Sequence, residues 1–277
     1  MTHDYDHGYT RGPFTTLVSD FPGTDVYPPQ DFRVEWGPIF HRGRLDGTAR
    51  VLVLGQDPGA HESIARRILV GEAGQRIQGF LARLGVTKSY VMINTFVYSV
   101  FGQAGGSRHH KDPLIAGYRH RWLDALLVGT QVEAVVALGT LADEAFQTWQ
   151  ETPSGQGVQV AYRHVLHPTY PESASASGQT TMADAMKRLL DDWNLALQEL
   201  KPAISHPDVQ VDLLPYGEVL VDADLAAIPE ADLPAGVPPW MRSLAAWAAR
   251  VGATTEDKRA TVVVTVPTAE RPWQPLA

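Results

Sequence analysis

The chain has 277 residues, 44 % hydrophobic and 19 % charged, which supports a sizeable core and excludes wholesale disorder. A net charge of −8 argues against a protein that coats nucleic acid indiscriminately, while leaving room for a local basic surface. Cysteine is absent, so disulfides and thiolate-held zinc or iron–sulfur centres are excluded; no run approaches the roughly 18 apolar residues of a membrane span, the N-terminal residues lack a signal-peptide core, and a cytoplasmic protein is expected.

Residues 1–48 are rich in proline, glycine and aromatics without a sustained period, and are expected to wrap the domain as ordered loop. The apolar, β-branched run at 51–54 reads as a strand buried on both faces of a parallel sheet. It ends abruptly in Gly55-Gln56-Asp57-Pro58-Gly59. Residues 73–84 carry Ile77, Phe80, Leu81 and Leu84 at helical spacing, and Gly85 stops the helix. A second strand is expected over 90–94, a glycine- and histidine-rich loop over 101–113, and a helix over 113–127 with proline in its first turn. A third strand at 132–138 leads through Gly139-Thr140 into a helix that reaches Trp149. A fourth at 158–166 ends in His167-Pro168, and a long helix follows over 182–200.

This alternation predicts an α/β protein, a three-layer αβα sandwich around a central four-stranded parallel sheet. Beyond Lys201-Pro202 the pattern changes. Residues 201–277 contain many prolines, a helix expected over 239–251 with Trp240, Leu244 and Trp247 on one face, and a β-like run over 260–266. They are expected to form a C-terminal appendage on the main domain. Two groups of basic residues, Arg66, Arg67, Arg76, Arg83 and Lys88, then Arg108, His109, His110, Lys111, Arg119, His120 and Arg121, read most simply as solvated faces.

Ligands of open α/β sheets sit outside the carboxyl ends of the strands. Three expected strand ends bring Gln56 and Asp57, Asn94, and His167 to that edge. A carboxylate can orient or deprotonate water, an asparagine amide offers a donor and an acceptor to a flat heterocycle, and a histidine can stabilise a developing oxyanion. Each alone also has a structural reading: Asp57 or Asn94 as a turn cap, His167 as a satisfied core histidine. Their joint arrival favours a site.

GQDPG at 55–59, the strand-end Asn94 of VMINTFVYSV, LGTLA at 138–142 and HPTYPESAS at 167–175 resemble, in order and spacing, the successive motifs of the uracil-DNA glycosylase superfamily. The resemblance covers about residues 49–200. Gln56-Asp57-Pro58 looks like the first family of that group, whereas Gly59, VGEAGQ at 70–75 and HPTY look like its iron–sulfur family, whose cysteines are missing here. The resemblance implies a cofactor-free, metal-free, monomeric enzyme acting on double- or single-stranded DNA that contains uracil. It divides the chain into a wrapping segment (1–48), a catalytic domain (49–200) and an appendage of unknown role (201–277).

By the same resemblance, Asp57 positions or activates water, and Gln56 presents its backbone to an extruded base. Asn94 reads the uracil edge, and His167 stabilises the leaving base. Gly139 and Thr140 contact phosphate at a helix start, while Thr169, Tyr170, Pro171, Ser173 and Ser175 press on the strand beside the lesion. Gly59 stands where the first family has a bulky tyrosine, which implies looser discrimination at C5. Leu69 aligns with a stacking aromatic, so either Leu69 is the platform or Phe96, Tyr98 or Phe101 replaces it. A catalytically inactive or covalently trapping binder of uracil-containing DNA is the alternative, and a nucleotide-binding module has no glycine-rich phosphate loop to support it. The histidines of 107–120 match no compact metal site.

Overall fold

A computed structural model describes residues 8–101 and 103–271; of Gly8 and residues 103–105 only the backbone is described. Among the described residues seven strands run in chain order: β1 (His41–Gly43), β2 (Val51–Gly55), β3 (Tyr90–Asn94), β4 (Ala134–Leu138), β5 (Ala161–Val165), β6 (Ala248–Arg250) and β7 (Val262–Val264). Among the described residues there are ten helices. The first five are α1 (Phe14–Ser19), α2 (Ala60–Ala65), α3 (Glu72–Arg83), α4 (Gln103–His109) and α5 (Pro113–Leu127). The others are α6 (Thr140–Gln150), α7 (Pro153–Gln156), α8 (Tyr170–Ala176), α9 (Met182–Leu200) and α10 (Thr255–Ala260).

The central sheet has five strands in the order β1-β3-β2-β4-β5, with β2, β3, β4 and β5 mutually parallel and β1 antiparallel to β3. The expectation of four strands is therefore corrected. β1 escaped it because its residues are His41, Arg42 and Gly43, a polar triplet buried at one edge by pairing with Val91, Met92 and Ile93. β2, β3 and β4 are buried throughout, as their unbroken apolar runs require. β5 forms the other edge and is half-buried, matching its Tyr162-Arg163-His164 centre.

Side chains alternate across the sheet. Leu52, Leu54, Val91, Ile93, Val135 and Ala137 face a core shared with Ile115 and Trp122 of α5 and Phe146 and Trp149 of α6. Val51, Val53, Met92, Val136 and Leu138 face a second core with Ile77 and Phe80 of α3 and Leu189 and Trp193 of α9. α9 spans the full expected length, started by Thr181, whose hydroxyl accepts from the Asp184 N–H. Among the described residues no helix is long and apolar enough to cross a membrane.

Two further local expectations are corrected. The 101–113 loop contains α4, although Gly102 lies outside the described residues, as do residues 1–7 of the wrapping segment. Weak intrinsic helix propensity is overridden there by packing, with Gly106 buried against Leu141 and Phe96. The expected helix at 239–251 is instead a 3₁₀ turn at Pro239–Arg242 followed by β6. Trp247 buries itself, but Leu244 is 43 % exposed, so the three apolar positions do not share a face.

Residues beyond 200 reach into the α/β body through charge. Asp232 accepts from Arg42 Nη1 at 2.7 Å and from the Tyr90 hydroxyl at 2.5 Å, and both Arg42 and Asp232 side chains are fully buried. Asp224 pairs with Arg83 of α3. One oxygen of Asp208 accepts the N–H groups of Thr87, Lys88 and Ser89 at 2.8 Å each, capping the approach to β3.

Candidate active site

A cleft of about 870 Å³ opens at the carboxyl ends of β2, β4 and β5. Parallel pairing puts these ends on one edge, where the chain must turn into helices and the backbone is free to approach a ligand. Gln56, Asp57 and Gly59 line the cleft from the β2 side, Gly139 and Thr140 from the β4 side, and His167, Thr169, Tyr170 and Ser173 from the β5 side.

Asp57 is half-buried. One oxygen accepts the Val100 N–H at 2.8 Å, and the other the Gln56 amide at 3.1 Å. No cation contacts it among the described residues. Burial pushes its carboxyl up to about 6, against the opposing pull of the Val100 and Gln56 donors. It is thus mostly ionised at neutral pH but holds its charge weakly, a state in which a carboxylate can accept a proton.

His167 has the reverse bias: burial pushes its imidazole down to about 4, so the ring is neutral at neutral pH. The Thr169 N–H donates to Nδ1 at 3.2 Å, and the Thr169 hydroxyl lies 2.9 Å from the same nitrogen. Nδ1 is therefore an acceptor, which leaves the proton on Nε2. The ring is a neutral donor of fixed tautomer. The loop that holds it is tied down by Arg76 of α3, which donates to the Pro168 carbonyl and pairs with Glu172.

The basic groups of the sequence divide accordingly. Arg67 and Arg76 are only 7 % and 5 % exposed, and Arg66 donates to the Trp36 and Pro38 carbonyls at 2.6 Å each. These side chains are internal struts, not a solvated face. Period alone could not separate the two, because the acceptors lie on distant loops. Arg108 and Arg121 pair with Asp31 and Asp20, whereas Arg119 is buried and donates to the Thr95 carbonyl. Of the histidines, His109 contacts Asp31 and His110 contacts Glu144.

Gly59 opens α2, and its N–H donates to Glu62 Oε2 at 3.0 Å. A Cβ at 59 would come within 2.8 Å of that same oxygen. The small residue thus makes way for the Glu62 carboxylate, whose second oxygen accepts the Val70 N–H. Gly139 has φ +82°, a turn that glycine alone adopts readily, and its N–H donates to the Val165 carbonyl, locking the start of α6 beside β5. No side chain caps that helix start, and Thr140 is exposed at it.

Of the other expected residues, Asn94, Leu69, Phe96, Tyr98, Phe101, Pro171 and Ser175 lie apart from the cleft. Asn94 ends β3 in register with Gly55, and its Oδ1 packs on that bare glycine. It lines a hollow of about 10 Å³ with Tyr118, Arg119 and Trp122, too small for a base. Leu69 is 6 % exposed in the core beneath α3. Phe96 and Tyr98 are buried in the opposite core, and the guanidinium groups of Arg33 and Arg259 both lie over the Phe101 ring. Pro171 is buried in the first turn of α8 and Ser175 is half-buried further along it. Tyr170 is steadied by Arg188, which donates to its hydroxyl at 3.2 Å.

Several cleft residues carry no mark in the sequence, Glu144 and His164 among them, and one comes from far along the chain. Arg250, at the end of β6, lines the cleft although it lies in the C-terminal segment.

The parallel sheet with a carboxylate and a neutral imidazole at its strand ends defines a cleft suited to hydrolysis by general-base and oxyanion-stabilising groups. Residues 42–194 match the uracil DNA glycosylase superfamily, and the chain belongs to it. At the level of that family it is a DNA glycosylase, a hydrolase whose substrate is DNA. No curated protein matches the chain.

Proposed function

We propose that the protein excises uracil from DNA, taking the nucleotide out of the stack and hydrolysing its N-glycosidic bond to leave an abasic site. The observation that carries this reading is a single cleft shared by a weakly held carboxylate, Asp57, and a neutral imidazole, His167, with its proton fixed on Nε2. As the C1′–N1 bond breaks, its electron pair moves onto the base and builds negative charge at O2. The Nε2–H of His167 donates to that oxygen. A neutral donor suits the task, since it polarises the leaving base without first having to acquire a proton. Asp57 holds a water against C1′; the C–O bond forms, the water proton passes to Asp57, and the departing base anion takes a proton from solvent.

Around this pair, Gln56 presents its main chain to the base. Asn94, one strand away, reads the N3–H and O4 edge once its amide turns from the hollow behind it. Gly139, Thr140 and the uncapped start of α6 receive a phosphate. Thr169, Tyr170, Pro171, Ser173 and Ser175 bear on the strand at the lesion. Gly59 places no bulky ring at the base edge, although Glu62 takes the space a Cβ would fill, and the lack of that ring extends acceptance to bases substituted at C5.

The test is a glycosylase assay with EDTA present, using end-labelled duplex and single-stranded oligonucleotides with one uracil or one 5-hydroxymethyluracil, followed by alkali cleavage. Multiple-turnover abasic-site formation that is lost in Asp57→Asn is the expected result. Retention of uracil DNA as a denaturation-resistant adduct, without turnover, would replace the reading with a trapping protein. Refusal of the C5-substituted base alone would overturn the role given to Gly59.

A further inference from the structure

The C-terminal hairpin supplies a cation that the family-matched region leaves out of the cleft. Of the described residues that line the cleft, Arg250 alone carries a fixed positive charge, and it lies well beyond residue 194. Its side chain is exposed and makes no hydrogen bond or ion pair among the described residues. Its basic neighbours are differently employed. Arg33 donates to the Val100 carbonyl, and Arg259 donates to the Pro29 carbonyl and faces Glu35 at 3.6 Å. Both stack on Phe101. Burial, then the charge of Arg250, lowers Arg33 to about 10, and the same charge acts on Asp57, so Arg250 lies near both.

The hairpin that carries Arg250 is held firmly. Trp247, 1 % exposed, packs with Ala65, Val70, Ile228 and Leu233. Its N–H and that of Ala248 both donate at 3.2 Å to Nε2 of His61 on α2, the helix that follows the Asp57-Pro58-Gly59 turn in the chain. β7 pairs with β6 in register, and the Thr265 N–H donates to the Trp247 carbonyl. Arg250 therefore reaches the cleft from a rigid support, so little ordering is needed on binding.

We propose that Arg250 binds a backbone phosphate of the DNA strand entering the cleft, an inference that rests on the functional reading above. The protein as a whole is negatively charged, and the cleft itself holds Asp57 and Glu144. A polyanion needs a fixed cation there, and an unpaired guanidinium is the side chain whose fork fits a phosphodiester. Its exposure at the mouth suits a phosphate, which stays partly solvated, rather than a base, which must be enclosed.

The experiment measures affinity of the full chain for a duplex carrying a tetrahydrofuran abasic analogue, which cannot be excised, over a range of salt. In Arg250→Gln the slope of log K against log[salt] falls by about 1, and affinity at low salt drops about tenfold. Arg250→Lys retains the slope. At pH 8, where Asp57 is ionised with or without the nearby Arg250 charge, the single-turnover excision constant at saturating uracil DNA stays within about twofold of wild type. An unchanged slope in Arg250→Gln overturns the assignment, and so does an unchanged slope joined to a lost excision constant, which would move Arg250 to the reacting base. If wild type fails to excise uracil while the slope still falls, the functional reading fails and the phosphate contact stands. If wild type excises and the slope is unaffected, only the role of Arg250 fails.

Discussion

Two carboxylates set against each other explain how this molecule separates structure from chemistry. Asp232 is enclosed, with Arg42 and Tyr90 both donating to it, and its partner arginine also donates to the Ile68 carbonyl and to Gln78. Asp57 faces an open cleft, with one main-chain N–H and one amide for company. The first is tied to a full charge and is spent on joining residues beyond 200 to the sheet. The second is held by neutral donors, so its proton affinity remains usable. A buried charge that is matched becomes architecture, and one left partly unmatched at a cleft keeps a proton affinity that a base could use.

Breaking the chemical side has the largest expected effect. Asp57→Asn lowers single-turnover excision of uracil by about 10²–10⁴-fold, with DNA affinity retained. In wild type, activity rises with pH as the carboxyl ionises, with an apparent value near 6, and then holds level, because His167 is already neutral above about 4. A profile that instead falls on passing from pH 5 to 7 would show that a protonated acid is required, contrary to this assignment.

Breaking the structural side comes next. Asp232→Asn strands the Arg42 charge in the core and costs about 3–5 kcal/mol of stability, measured by urea unfolding. Replacing Arg42 and Asp232 together with methionine and leucine restores much of that loss, because no uncompensated charge remains. Equal losses in the single and double variants would show that the pair contributes chiefly through packing.

The smallest effect sharpens the contrast. Asp57→Asn stabilises the protein by on the order of 1 kcal/mol at pH 7, a figure discounted for the open cleft beside the carboxyl. The sign follows from linkage. The folded carboxyl keeps its proton to higher pH than the unfolded one, so the cost of the charge is absent below 3.8, grows with pH, and is complete above about 6. The gain should therefore vanish below pH 4, which thermal unfolding at both pH values would show.

The sequence by itself determined what is periodic and local. β2, β3 and β4 were legible because apolar runs of that length have few other uses, and α9 because its cap and its apolar stripe agree. Asp57 and His167 were legible for a related reason: in a parallel sheet the residues after each strand must share an edge, so order along the chain already implies proximity. The tertiary structure decided whatever depends on partners distant in sequence. Arg76 is a strut because Pro168 and Glu172 fold back onto α3, and β1 is a strand because β3 supplies a partner for three polar residues. The spacing of Trp240, Leu244 and Trp247 fits a helix, yet His61 claims the N–H groups of Trp247 and Ala248 and draws that stretch into a hairpin. The same contacts carry Arg250 to the cleft. Local propensities are small, and a few buried hydrogen bonds and one buried tryptophan outweigh them.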